Sequence, residues 1–100
     1  MRIIAKRTLR LFWEGSRGRS DARRALEDWH SQVRAADWKT PADVKVTFGD
    51  ASVLKGSRVV FNICGNKYRL ITKINYPYRV VYIRFVGTHE EYDNVDAETI

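Results

Sequence analysis

The chain has 100 residues and a mass of 11.7 kDa, with 44% hydrophobic and 30% charged residues, which excludes disordered-like and membrane-like compositions and suits one domain over residues 1–100. Eighteen Lys and Arg against twelve Asp and Glu give a formal net charge of +6, an excess that favours a polyanionic partner. The single cysteine, Cys64, excludes an internal disulfide and a cysteine-rich zinc site, and no apolar run approaches the roughly 20 residues of a membrane span. A cytoplasmic protein with no membrane partner is therefore expected.

Met1 to Ala5, with β-branched Ile3 and Ile4, suits a brief strand. Thr8 is a candidate N-cap for a short helix through Leu9, Leu11, Phe12 and Trp13, which Gly15 would end. Residues 15–19 read as a basic turn, and a longer helix begins after Ser20 or Asp21. Along it Ala22, Leu26, Trp29, Val33 and Ala36 form one apolar stripe that must pack on another layer. Thr40-Pro41-Ala42-Asp43 has a cap residue, then proline, then a carboxylate, which marks a further start of one or two helical turns.

From Gly49 the period changes to alternation. Val59, Phe61 and Ile63 oppose Arg58, Val60 and Asn62, and Gly65-Asn66 signals a turn. Tyr68, Leu70, Thr72 and Ile74 then oppose Lys67, Arg69, Ile71 and Lys73. After the Asn75–Tyr78 turn, Val81, Ile83 and Phe85 oppose Tyr82, Arg84 and Val86, and Gly87 is expected to end the strand. Helices followed by a three-stranded antiparallel meander give an α+β class, with helices packed on one face of a twisted sheet.

The other face collects Arg58, Asn62, Lys67, Arg69, Lys73, Tyr82 and Arg84, and residues 51–86 contain no Asp or Glu. A solvated face mixes signs, whereas cations interleaved with rings suit single-stranded RNA. The charge reverses after Gly87, where residues 87–100 hold five acidic and no basic side chains. At that boundary stand His89 and Tyr92, three apart and thus on one side of a helical turn. A histidine, whose ordinary pKa is about 6.5, both gives and takes protons near neutral pH. RNA supplies its own nucleophile in the 2′-hydroxyl, so cleavage needs alignment, phosphate-stabilising cations and management of two protons, with no metal or other cofactor.

Other candidates read as structural. His30 lies beside the apolar stripe, Cys64 reads as a packed strand thiol, and Trp13, Trp29 and Trp38 as core. The acidic tail is either a solvated terminus or a restraint over the basic face. Arg17, Arg19, Arg23 and Arg24 form a second basic cluster, either a solvated helix face or a further phosphate contact.

Several segments together resemble a known family: Thr8-Leu9-Arg10, Ala36-Asp37-Trp38-Lys39 with Pro41-Ala42-Asp43, Val59–Ile63, Asn66-Lys67-Tyr68-Arg69-Leu70-Ile71, Lys73–Tyr76, and Tyr82–His89 with Tyr92-Asp93. They resemble the HigB-type toxins of bacterial toxin–antitoxin systems, within the RelE superfamily of mRNA interferases. The resemblance implies a RelE-like fold, endonucleolytic cleavage of mRNA commonly on the ribosome, and neutralisation by a helix-turn-helix antitoxin of the HigA type, with DNA reached only through the antitoxin complex. It implies Arg69 at the scissile phosphate, His89 in proton transfer, Tyr92 in stacking or proton transfer, and Lys67 beside them as a catalytic or phosphate-binding cation. Arg58, Asn62, Lys73 and Arg84 would bind RNA phosphates. A non-catalytic RNA- or ribosome-binding module on the same face is the alternative, and a DNA-binding regulator is the least favoured reading because the basic helix lacks a helix-turn-helix partner.

Overall fold

The computed structural model describes residues 1–15 and 19–100. In chain order the elements are β1 (Arg2–Ile4), α1 (Lys6–Glu14), α2 (Ser20–Ala35), α3 (Pro41–Thr47), β2 (Ser52–Val53), β3 (Arg58–Ile63), β4 (Tyr68–Asn75), β5 (Val80–Thr88) and α4 (His89–Asp93). The five strands form one sheet in the order β1-β5-β4-β3-β2, antiparallel except for β1, which runs parallel to β5. The class is α+β, as the change of period requires.

The apolar stripe of α2 is the main roof of the core. Ala22, Leu26, Trp29 and Val33 are buried, together with Leu9 and Phe12 of α1, against Val59, Phe61, Ile63, Tyr68, Leu70, Ile74 and Val81 of the sheet. Phe61 is the centre of an aromatic cluster. Trp29 meets it edge-on at 5.3 Å, Phe48 edge-on at 5.2 Å, and Trp38 stacks on it at 6.2 Å. Thr72, buried on this same face, donates its hydroxyl to the Val59 carbonyl at 3.0 Å and so leaves no orphan group. The Thr40–Asp43 capping box starts α3, with Pro41 in its first turn.

Local expectations need correction at α1, at Cys64 and in β5. Thr8 sits within α1, which starts at Lys6 after an extended Ala5; the burial of Leu9 and Phe12, not a side-chain cap, sets its start. Cys64 is exposed and lies in the β3–β4 turn with φ +56°, because the strand ends at Ile63. The alternation of β5 breaks at a bulge: Ile71 pairs with Phe85 and Thr72 with Ile83, so Arg84 is the extra residue. Phe85 therefore shares the open face with Ile71, while Val86 turns towards the core with Leu70. A β2 strand that the sequence pattern did not reveal pairs with β3 at Val59 and Val60.

Candidate nucleic-acid interface

Strand register orders the face away from α1–α3 into three cross-strand rows. Arg58, Lys73 and Tyr82 form one; Val60, Ile71 and Phe85 form the second; Asn62, Arg69 and Gly87 form the third. The middle row is apolar, and Val60 and Ile71 are 4% and 0% exposed although they lie outside the helix-side core. The cations thus fall at two ends of the face, separated by a buried hydrophobic band.

At one end Arg69 is the central group. Its Nη1 donates to Asn66 Oδ1 at 2.6 Å, and its guanidinium lies 5.7 Å from the centre of the Tyr92 ring. Asn62, directly opposite Arg69, donates its side-chain amide to Asp50 Oδ2 at 3.3 Å. Gly87, on the other side of Arg69, lies within β5 instead of ending it. A Cβ there would stand 2.5 Å from the Phe85 ring and 3.1 Å from Glu91 Cβ, so glycine lets α4 settle against the strand.

Local sequence builds α4 at this end. Thr88 Oγ1 accepts from the Glu91 amide at 3.2 Å and Glu91 Oε1 accepts from the Thr88 amide at 2.9 Å, a reciprocal cap that starts a helix of only five residues. That cap accounts for Glu91, whose carboxyl is held below its ordinary pKa chiefly by the Thr88 backbone amide. His89 and Tyr92 follow on the helix, and His89 Nδ1 is 3.3 Å from Asp93 Oδ2. The structure therefore brings together Arg69, Tyr92 and the α4 turn carrying His89, with half of the His89 side chain open to solvent.

Lys67 borders that group through its backbone, its carbonyl accepting from the His89 amide at 3.3 Å, while its side chain turns to α2. Its ammonium lies 2.6 Å from Asp21 Oδ2 at the start of α2, where Asp21 also accepts from Tyr68 Oη at 3.0 Å. The hydrogen bond from Lys67, with those from Tyr68 and the Ala22 amide, lowers the Asp21 pKa to about 2. Asp21 in turn raises the pKa of Lys67, and burial, with Asp21, raises that of Tyr68. Cys64 Sγ stands 3.8 Å from the same carboxylate. Asp21 thus fastens the β3–β4 hairpin to α2.

At the opposite end, Arg58 donates Nε and Nη2 to the Ile100 carbonyl at 3.0 and 2.8 Å, so the acidic tail returns to the open face. Lys73 and Arg84 are exposed and make no ion pair among the described residues, and the Arg84 guanidinium lies 5.9 Å from the Tyr82 ring centre. In the second basic cluster Arg19 covers the Phe12 ring at 4.1 Å and reaches Glu91 at 3.7 Å, and Arg23 pairs with Glu27; Arg17 lies outside the described residues. His30 is half-buried, and burial with nearby Lys6 and Arg34 lowers its pKa. No group of three His, Cys, Asp or Glu with metal-binding proximity occurs among the described residues.

Asn66, Asp21 and Asp50 were not site candidates on sequence grounds. Asn66 stands in a turn signal and in the Asn66–Ile71 segment of the resemblance, neither of which assigns it a role, and the two aspartates are distant in sequence from Lys67, Tyr68 and Asn62, which they meet. The Thr88-x-x-Glu91 pattern is a capping signal that sequence could have supplied.

No helix is long and apolar enough to cross a membrane among the described residues. Across 95% of its length the chain is 26% identical over 97 residues to a protein named mRNA interferase HigB from Escherichia coli O6:H1, of which the match covers 91%. The sequence profile HigB_toxin, described as the RelE-like toxic component of a toxin–antitoxin system, matches residues 22–95. The chain belongs to this HigB toxin family, and its sheet with α4 at the rim is consistent with a RelE-like fold.

Proposed function

We propose that the protein is the toxin of a type II toxin–antitoxin pair, a cytoplasmic, metal-independent endoribonuclease that cuts mRNA on translating ribosomes and is neutralised by a helix-turn-helix antitoxin. The observation that carries this reading is the grouping of Arg69, Tyr92 and the His89 turn at one end of an electropositive sheet face. In the reaction the RNA 2′-oxygen attacks the adjacent phosphorus and the 5′-oxygen leaves. One group removes the 2′ proton and one supplies a proton to the leaving oxygen, giving a cyclic 2′,3′-phosphate and a 5′-hydroxyl.

Arg69 would stabilise the charge that builds on the phosphate oxygens, a task suited to a guanidinium held in one orientation by Asn66. His89 would transfer a proton, with Asp93 orienting its ring. Tyr92, already beside the guanidinium, would stack on a base next to the cut or take part in proton transfer. Lys67 would act in this reading by anchoring the hairpin that carries Arg69, since its ammonium is committed to Asp21. Arg58, Asn62, Lys73 and Arg84 would contact the RNA on either side of the cut.

The test is primer extension on mRNA incubated with purified protein and ribosomes in EDTA. Discrete new 5′ ends, absent with Arg69→Ala and His89→Ala variants that melt like the parent, are expected. Salt-sensitive RNA association without new ends would replace the nuclease by a binding module.

A further inference from the structure

The geometry points to a nucleotide-binding recess at the far end of the open face, walled by Lys73, Tyr82, Arg84, Asn75, Tyr76 and Pro77, that takes one base with its phosphate from single-stranded RNA. The inference rests on the reading of this face as an RNA surface and adds a specific subsite to it. The recess holds about 310 Å³, the lower end of the range for small-molecule sites, which suits one nucleotide better than a longer oligomer.

Its chemistry is that of a nucleotide with both halves engaged. Tyr82 offers a ring to stack on, and the Arg84 guanidinium lies over that ring at 5.9 Å from its centre, a cation beside the stacking group. Lys73 is directly opposite Tyr82 across β4 and β5 and is exposed with no ion-pair partner among the described residues. A ring flanked by two cations without an ion-pair partner, in a recess with no acidic lining residue among the described residues, favours a flat aromatic group bearing an anion. The bulge matters here: as the extra residue of β5, Arg84 falls between the partners of Ile71 and Thr72, beside the row of Tyr82 and Lys73. Tyr76, on the recess wall, also carries a buried hydroxyl with no hydrogen-bond partner among the described residues.

The recess lies four residues along β4 from Arg69, about 13 Å at the rise of an extended strand. An RNA strand would cross that span in a few nucleotides. Base preference at a fixed offset from the cut would then arise here, while the cut itself occurs at Arg69.

The test uses a short single-stranded RNA of 2′-O-methyl nucleotides, which cannot be cleaved through the 2′-oxygen, with binding read by fluorescence anisotropy. Tyr82→Ala and, separately, Lys73→Ala are each expected to weaken binding about tenfold, with Tyr82→Phe restoring it because the ring is kept. On cleavable mRNA, Tyr82→Ala is expected to raise KM more than it lowers kcat and to relax base preference at one position away from the cut. Loss of oligonucleotide binding in the variants of a protein that cuts no mRNA would support the recess and overturn the nuclease reading. Unchanged binding and unchanged base preference in variants of a protein that does cut would overturn the recess alone. Because Lys73 is exposed, its variant remains informative if Tyr82→Ala fails to fold.

Discussion

Asn66 Oδ1 holds Arg69 Nη1 at 2.6 Å, so a side chain in the β3–β4 turn aims the guanidinium of the following strand. Loss of Arg69 itself, as Arg69→Ala, is expected to lower single-turnover mRNA cleavage by at least a hundredfold, the scale on which removal of one charge-stabilising donor acts. Asn66→Ala keeps the charge but frees its orientation, and a smaller loss of about tenfold is expected. Equal rates for Asn66→Ala and the parent would show that Asn66 does not position the guanidinium.

Replacement of His89 by alanine removes an exposed side chain with little packing. Thermal melting is expected to stay within a degree or two of the parent, while cleavage falls about a hundredfold or more, the usual weight of a positioned acid or base. Asp93→Asn should give a milder loss with the same unchanged melting. A fully active His89→Ala protein would remove His89 from the chemistry.

Asp21 makes stability depend on pH in a defined direction. Its folded pKa of about 2 lies below the ordinary 3.8, so its contribution is fully present above the ordinary value and is lost as pH falls towards 2. The raised pKa of Lys67 adds a contribution that is present below its ordinary 10.5 and disappears as pH rises through the raised value. Urea midpoints for the parent and Asp21→Asn should therefore differ at pH 7 and converge as pH is lowered to about 2. A difference that persists undiminished in acid would mean that the Lys67–Asp21 pair is not its source.

Thr88→Ala removes one half of the cap on α4. A stability loss of about 1 kcal/mol is expected in urea titrations, with a larger proportional loss of cleavage because His89 and Tyr92 lose their common turn. Thr88→Ser, which keeps the hydroxyl, should retain both.

Phe61→Ala would empty the centre of the aromatic cluster formed with Trp29, Trp38 and Phe48. The expected cost is about 3 to 5 kcal/mol, a large part of the stability of a domain of this size. Calorimetry or urea unfolding measures it directly; a cost below 1 kcal/mol would mean that the cluster repacks.

By itself the sequence determined the two layers. The α2 stripe and the alternation of β3 and β4 encode which side of each element must leave water, and those patterns are local enough to read. It also determined the acid-free stretch from residue 51 to residue 86 and the reversal of charge at His89. Which cations stay available was decided only by the tertiary structure. Asp21 reaches Lys67 across 46 residues and Asp37 reaches Arg79 across 42, so a stretch without carboxylates of its own borrows them from the helical half. The single extra residue in β5 likewise reversed the facing of Phe85 and Val86, because a bulge depends on how two strands pair and leaves no mark in the period of either one. One continuous basic sheet face, as composition and alternation suggested, thus became two cationic ends divided by a buried apolar row, with Arg69 at one and Lys73 and Arg84 at the other.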